Sequence, residues 1–352
     1  MSETTWPQAL TALLNGEDLS VERAAWVMDQ VMSGSATPAQ LSAFLVALRA
    51  KGESTAEMVG LSQTMLQYAN RFEVPGVALD IVGTGGDGAH TVNISTMSSL
   101  VAAGAGVRVV KHGNRAASSK TGTADVLEKL GVRLDLSPEQ VAQVAGEAGI
   151  TFCFAAMFHP AMKYAGGVRK EIGIPTAFNF LGPLTNPAQP KYGAIGVANE
   201  RMAPLMANVF AERRQSVAVF RGDDGLDEIS PAITSHVWWV TDGTVSELIL
   251  DPREVGVNHP VSALVGGDAD FNAGAVQNLL AGEQGAVRDT VVLNAGLALA
   301  VLTSGETGLA APTNNSELHD RVRAGMKLAE DSLDSGAAQQ ALARWVKATS
   351  VV

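Results

Sequence analysis

Residues Asp80-Ile81-Val82-Gly83-Thr84-Gly85-Gly86-Asp87-Gly88 carry a short apolar stretch into a loop with four glycines in six positions and one carboxylate, Asp87. Glycine lets the backbone approach a ligand closely and adopt positive φ. Such a turn aims consecutive N–H groups at one point and makes an anion site. The chemistry is that of a phosphorylated ligand, with Asp87 there for a divalent metal or for hydroxyls. Gly83-x-Gly85-x-x-Gly88 also fits the dinucleotide fingerprint. That fingerprint needs an acidic residue about 20 positions on to hold the adenosine ribose. Here the next strand ends in Lys111-His112-Gly113-Asn114-Arg115. A second cationic loop fits more phosphate and excludes the dinucleotide.

Three further strings offer chemistry. Asn93-Ile94-Ser95-Thr96 follows the glycine loop and opens a helix. It is either a plain N-cap or a helix N-terminus aimed at phosphate, with hydroxyls able to ligate Mg²⁺. The run from Lys111 to Thr123 combines cations, hydroxyls and glycines, as a second anion loop would; His112 alone does not read as a base. Asp223-Asp224-Gly225-Leu226-Asp227-Glu228 places four acids in six residues. An exposed acidic turn is the plain reading, but its place after a predicted strand favours Mg²⁺, which bridges one or two carboxylates to substrate phosphates. Arg169, beside Lys170 and Glu171 late in a predicted helix, reads by itself as a surface charge. His236, His259 and His319 have no companions at metal-ligand spacing, and neither a Ser-His-Asp arrangement nor a Cys-x-x-Cys pair is visible.

These residues need a scaffold of strands. The chain has 352 residues, enough for one large α/β domain or two domains. Hydrophobic residues make up 46% and aromatics 5%, as expected for helices packed closely on a parallel sheet. A net charge of −11 makes a poor partner for nucleic acid or anionic lipid, so phosphate binding must come from a local basic cluster. The single cysteine, Cys153, lies in the apolar run 150–156 and reads as buried filler in a reducing compartment. The N-terminus lacks a signal-peptide pattern, and the apolar run Val291–Leu302, broken by Asn294, reads as too short to span a bilayer. The expectation is a soluble, cytoplasmic protein.

Residues 1 to about 70 read as helical, with starts at Ser20, Thr37-Pro38 and Ser54. Val74-Pro75-Gly76-Val77 reads as a linker. Beyond it strands alternate with helices, which signals a largely parallel sheet. Predicted strands are Leu79–Val82, Val107–Val110, Thr151–Phe154, Ala194–Val197 and Val217–Phe220, then a more exposed pair, Val237–Val240 and Leu248–Leu250. Predicted helices cover about 96–105, 123–130, 138–148, 160–171 and 201–214, and the tail from 268 is again mostly helical. In open α/β sheets ligands bind beyond the carboxyl ends of the strands. The glycine loop, the basic loop, His159-Pro160 and the acidic loop all fall there.

Taken together the strings resemble the anthranilate phosphoribosyltransferase family. The resemblance rests on Gly83-Thr84-Gly85-Gly86-Asp87, Asn93-Ile94-Ser95-Thr96, Lys111-His112-Gly113-Asn114-Arg115, Phe158-His159-Pro160-Ala161-Met162-Lys163, Val168-Arg169-Lys170-Glu171-Ile172-Gly173, the stretch from Asn179 to Pro187, and Gly222 to Glu228. They occur in the family's order over nearly the whole chain. Two small departures keep the needed size or hydroxyl: Thr123 stands where many members have serine, and Arg115-Ala116-Ala117 stands where others have bulkier residues.

The resemblance implies a glycosyltransferase (pentosyltransferase) of tryptophan biosynthesis, moving phosphoribose from phosphoribosyl pyrophosphate to the amine of anthranilate. It implies an α/β fold: a small helical N-terminal domain over 1–72 with a returning segment near 165–190, and a large α/β domain over 73–352. That domain would hold a mainly parallel central sheet with helices on both sides, joined to the other by hinges, with the site between the domains. It implies a homodimer through the helical domain, with neither nucleic acid nor membrane as partner.

It also implies roles. Gly83, Gly86, Asp87, Thr91, Asn93, Ile94, Ser95 and Thr96 would hold the sugar diphosphate. Lys111, His112, Gly113, Asn114, Arg115, Ala116, Ala117, Ser118, Ser119 and Thr123 would hold its phosphates. Ser95 would bind one Mg²⁺, and Asp227 with Glu228 a second. Arg169 would take the anthranilate carboxylate, with Gly83, Asn114 and His159 nearby. Lys111 and Asp87 would stabilise charge, and no residue is assigned as general base. A pyrimidine-nucleoside phosphorylase is the enzyme alternative, disfavoured by Arg169 together with Asp227-Glu228. A nucleic-acid-binding relative is the other, opposed by the acidic charge and open to a gel-shift test.

Overall fold

The computed structural model describes residues 4–115 and 121–352. The chain divides into two compact units, Met1–Arg71 with Ala155–Pro187, and Phe72–Phe154 with Ala188–Val352.

The first unit is helical. Its first stretch folds into Trp6–Leu14, Val21–Met32, Pro38–Lys51 and Thr55–Gln67, and its second contributes Lys163–Ile172 and Phe178–Leu184. The helix starts follow from capping chemistry. Ser20 Oγ accepts from the Arg23 N–H, and Thr37 and Ser54 form reciprocal capping boxes with Gln40 and Glu57. Gly60 permits close crossing, because a Cβ there would lie 2.3 Å from the Val21 carbonyl oxygen. The single helix expected over 160–171 is instead a 3₁₀ turn, Pro160–Met162, followed by a helix from Lys163. Pro160 donates no N–H and sits where a turn begins.

The second unit is built on a seven-stranded sheet in the order β3-β2-β1-β4-β5-β6-β7. The strands are β1 Leu79–Gly83, β2 Val109–Gly113, β3 Ile150–Phe154, β4 Tyr192–Gly196, β5 Ser216–Gly222, β6 Ser235–Thr241 and β7 Thr244–Leu250. The first five pair in parallel, and β6 and β7 add antiparallel. Asp242 and Gly243, both at positive φ (52° and 81°), make the tight β6–β7 turn. Chain order runs β1, β2, β3 outward on one side, then returns to β4 on the other side of β1. The strand order therefore reverses between β1 and β4, where such sheets place ligands.

Three expectations are corrected. β2 starts two residues later than predicted and continues through Gly113, so Lys111 and His112 are strand residues paired with Phe152 and Cys153. β6 is mostly buried rather than exposed, with Trp239 fully covered. The apolar run Val291–Leu302 belongs to a 22-residue helix, Ala286–Thr307, which is long and apolar enough to cross a membrane; most of it is buried inside the protein as a core helix. Cys153 is fully buried in β3, as expected.

Candidate active site

The carboxyl ends of β1 and β4 frame the site. Their last residues, Gly83 and Gly196, pair in register. After Gly83 the chain makes the glycine loop, with Gly85, Gly86 and Gly88 at φ of 69°, 87° and 73°. Residues with a Cβ rarely adopt these angles, so glycine is required there. The loop is stitched to β4: the Thr84 N–H donates to the Gly196 carbonyl (2.9 Å), and the Ala198 N–H donates to Thr84 Oγ1 (3.2 Å).

The acidic loop after β5 inserts against this pair of glycines. A Cβ on Gly196 would lie 1.7 Å from the Asp227 carbonyl oxygen, and one on Gly83 would lie 2.2 Å from the Asp227 carboxylate. The Gly85 N–H donates to Asp227 Oδ2 (2.6 Å), and the Ser95 N–H donates to Glu228 Oε1 (3.2 Å). The neighbouring acids are not part of this arrangement. Asp223 and Asp224 are exposed, and Asp224 accepts from the Leu226 N–H (3.3 Å) of its own turn and from Ser230 Oγ (2.6 Å).

Lys111 completes the cluster. It is fully buried, and its Nζ donates to the Ile81 carbonyl and to Ser95 Oγ (3.1 Å). Burial lowers its pKa to about 8, against the opposing pull of Asp80, Glu228 and Asp227. Burial likewise pushes Asp227 up to about 7, with the Asp87 charge adding to it, and drives Glu228 well above the usual carboxylate range. Two carboxylates and one ammonium thus share a desolvated space, each held toward its neutral form.

The helix Ile94–Gly104 starts at this point. Asn93 does not act as a plain N-cap, since its side chain makes no cap bond; its Oδ1 accepts from Asn272 Nδ2 (2.8 Å). Thr96 and Thr123, each near the start of a helix, bring their hydroxyls within 3.4 Å. Thr91 bridges to Val265, and Thr121 donates to the Gly267 carbonyl (3.0 Å). Asn272 Oδ1 accepts from the Gly267 N–H (2.8 Å), so one buried asparagine ties the segment around Gly267 to the helix start.

His112 is buried in β2, its N–H donating to Asp80 Oδ1 (3.2 Å). Gly113 leaves room for the Phe152 ring. Asn114 Oδ1 accepts from the Arg115 N–H (2.8 Å), and the Arg115 guanidinium pairs with Asp125 (2.6 Å) and Glu128 (2.7 Å). Ala116, Ala117, Ser118 and Ser119 lie outside the described residues.

Two family models match the chain, "Glycosyl transferase family, helical bundle domain" over residues 7–69 and "Glycosyl transferase family, a/b domain" over residues 75–339. The chain is 56% identical to the anthranilate phosphoribosyltransferase of Salinispora arenicola, over 100% of this chain and 99% of that one. The chain belongs to the anthranilate phosphoribosyltransferase family. Solved structures agree. The Thermus thermophilus enzyme superposes with a TM-score of 0.88 at 38% identity, covering 97% of this chain and 99% of that one. The Saccharomyces cerevisiae enzyme, in complex with PRPP and Mg, superposes with a TM-score of 0.86 at 27% identity, covering 100% and 99%.

In the second unit, Gly83, Asp87, Ser95, Lys111, Asp227 and Glu228 of the family strings converge. The other two residues assigned to anthranilate lie in the helical unit. Arg169 is half-buried in the helix Lys163–Ile172, its guanidinium over the Phe178 ring (5.3 Å). His159 is buried, with Nε2 3.0 Å from the Thr185 carbonyl oxygen. Sequence reasoning missed Gly196 and Asn272. A glycine at the carboxyl end of a predicted strand was the available signal for Gly196; Asn272, inside a helix, gave none.

Proposed function

We infer that the chain transfers the phosphoribosyl group of 5-phosphoribosyl 1-pyrophosphate to the amine of anthranilate, releasing pyrophosphate, as a step of tryptophan biosynthesis. The observation that carries this reading is the junction of the glycine loop with the acidic loop, where Gly85 and Ser95 N–H groups hold Asp227 and Glu228 next to Lys111.

The bond from ribose C1 to pyrophosphate breaks and a bond from C1 to the anthranilate nitrogen forms. Positive charge develops on the sugar ring and negative charge on the leaving group, so catalysis consists mainly of positioning and charge stabilisation. The glycine loop, Thr91, the helix start at Asn93–Thr96 and the run from Lys111 through Thr123 hold the sugar diphosphate. The Lys111 ammonium faces the growing negative charge. Arg169 receives the anthranilate carboxylate, with Gly83, Asn114 and His159 completing the assignment; its planar fork matches a carboxylate bidentately. A neutral aromatic amine attacks and loses its proton afterwards, which requires no general base.

The donor set suits Mg²⁺. Among the described residues no three His, Cys, Asp or Glu side chains form a ready cage. Mg²⁺ ordinarily uses one or two carboxylates and takes its remaining ligands from substrate phosphates and water. A buried Asp227 and a half-buried Glu228, both held toward their neutral forms, are a place where a dication relieves the cost of ionisation. Ser95 is assigned to one ion, and Asp227 with Glu228 to a second. When bound, Mg²⁺ neutralises charge on the diphosphate. A homodimer through the helical unit, where Leu14, Val46 and Ile174 are exposed, and a cytoplasmic place of action belong to the same proposal.

The test follows anthranilate fluorescence. The reading expects the signal to fall only when phosphoribosyl pyrophosphate and Mg²⁺ are both present. A steady signal at high enzyme concentration overturns it.

A further inference from the structure

We propose that Asn294 is a positioning residue for this reaction, fixing the backbone of Ile229 and through it the carboxylates of Asp227 and Glu228. The inference rests on the phosphoribosyl-transfer reading above.

Asn294 is the polar break in the apolar run Val291–Leu302. It sits in the core helix Ala286–Thr307, buried, between buried Leu293 and Ala295. An amide there carries a desolvation cost unless its hydrogen bonds are made. They are made, and two of the three go to a single residue. Asn294 Oδ1 accepts from the Ile229 N–H (2.8 Å), and Nδ2 donates to the Ile229 carbonyl (3.1 Å) and to the Thr290 carbonyl (2.9 Å). The side chain thus reads both polar groups of one residue, as a neighbouring strand would.

Ile229 directly follows Glu228, and its side chain is buried. The acidic loop is therefore pinned three times within three consecutive residues: Asp227 on the Gly85 N–H, Glu228 on the Ser95 N–H, and Ile229 on Asn294. The first two pins engage the carboxylates that the reaction needs. The third leaves them untouched and acts only on the backbone. Consecutive Cα atoms are about 3.8 Å apart, so a small rotation at Ile229 swings both carboxylates. Leucine would fill the same volume but leave the buried Ile229 N–H and C=O unpaired, so this asparagine both satisfies and aims the backbone next to the two carboxylates.

The experiment compares Asn294→Leu, Asn294→Asp and, as a control in the same helix, Leu299→Ala. Mn²⁺ binding is read by electron paramagnetic resonance with phosphoribosyl pyrophosphate present and anthranilate absent. Hydrogen exchange is read at Ile229 in the unliganded protein. Losing an outer partner of a ligand commonly costs about 10- to 100-fold in metal affinity, so Asn294→Leu is expected to weaken Mn²⁺ by about that much while the KM for anthranilate moves less than about twofold. Exchange at Ile229 accelerates in step. Asn294→Asp, which keeps the acceptor for the Ile229 N–H, falls between. Leu299→Ala lowers the melting temperature and leaves Mn²⁺ binding unchanged. Wild-type Mn²⁺ affinity in whichever Asn294 variant folds overturns the inference, as does an equal loss in Leu299→Ala. Absence of transfer activity in the wild-type protein overturns the functional reading whatever the Mn²⁺ result in the Asn294 variants, which separates the two failures.

Discussion

Gly196 and Asp227 approach so closely that a Cβ on the glycine would lie 1.7 Å from the aspartate carbonyl oxygen. The contact is backbone to backbone and cannot be relieved by a rotamer change. Gly196→Ala must push the acidic loop away from the end of β4. Overpacking of this kind costs about 1–3 kcal/mol. The expected result is a lower melting temperature together with a higher Mg²⁺ requirement, read by thermal melts and by activity against Mg²⁺. A melt shift without a Mg²⁺ shift would place the loop elsewhere.

Asp227→Asn combined with Glu228→Gln is expected to raise the Mg²⁺ requirement strongly while stabilising the metal-free protein. Both acids hold their protons more tightly folded than unfolded, because burial disfavours the charge. Their contribution to stability is complete below the unfolded carboxylate pKa, about 4. For Asp227 it is lost as pH rises through about 7. Denaturant melts in chelator across pH 4 to 8 should show wild type weakening over that range relative to the double variant. Parallel curves would remove the carboxylates from the buried cluster.

Lys111→Met retains the packing of the stem and removes the charge. A charge-assisted bond to phosphate is worth about 1.5–3 kcal/mol, so phosphoribosyl pyrophosphate affinity should fall about 10- to 100-fold, with anthranilate little affected. Its lowered pKa, about 8, adds a second mark. In wild type kcat/KM for phosphoribosyl pyrophosphate declines above that pH as the ammonium loses its proton, and the decline disappears in Lys111→Met. Calorimetry with each ligand and a pH profile decide it.

Arg169→Ala should damage anthranilate use selectively, by about 2–5 kcal/mol if it clamps a buried carboxylate. Arg169→Lys should recover only part, because an ammonium lacks the planar fork. Aniline, without the carboxylate, should be poor for wild type and little worse for Arg169→Ala. A normal KM for anthranilate in Arg169→Ala would return this residue to the surface charge that its neighbours Lys170 and Glu171 make it resemble.

Chemistry written in consecutive residues was legible in the sequence. The glycine loop, Ser95 at a helix start and the Asp227-Glu228 pair all stand where strand ends were expected. Lys111 was read for its charge but not for its place. Its burial depends on β2 continuing to pair with β3 as far as Gly113 and Phe154, a long-range event that four valine-rich positions do not reveal. Gly196 and Asn294 were hidden for the same reason. Each matters through a residue far along the chain, Asp227 for one and Ile229 for the other. Asn93 resembled a cap, and only Asn272 shows what its side chain does.

The central claim is that one C1–O bond is exchanged for one C1–N bond. It is tested most directly by phosphorus NMR, for pyrophosphate release, and nitrogen NMR, for the new bond, of phosphoribosyl pyrophosphate with ¹⁵N-labelled anthranilate, Mg²⁺ and the enzyme. The account predicts one pyrophosphate released for each anthranilate consumed, with the label bonded to ribose C1 in the product. Pyrophosphate released without loss of anthranilate, or a product lacking the nitrogen–ribose bond, would contradict it.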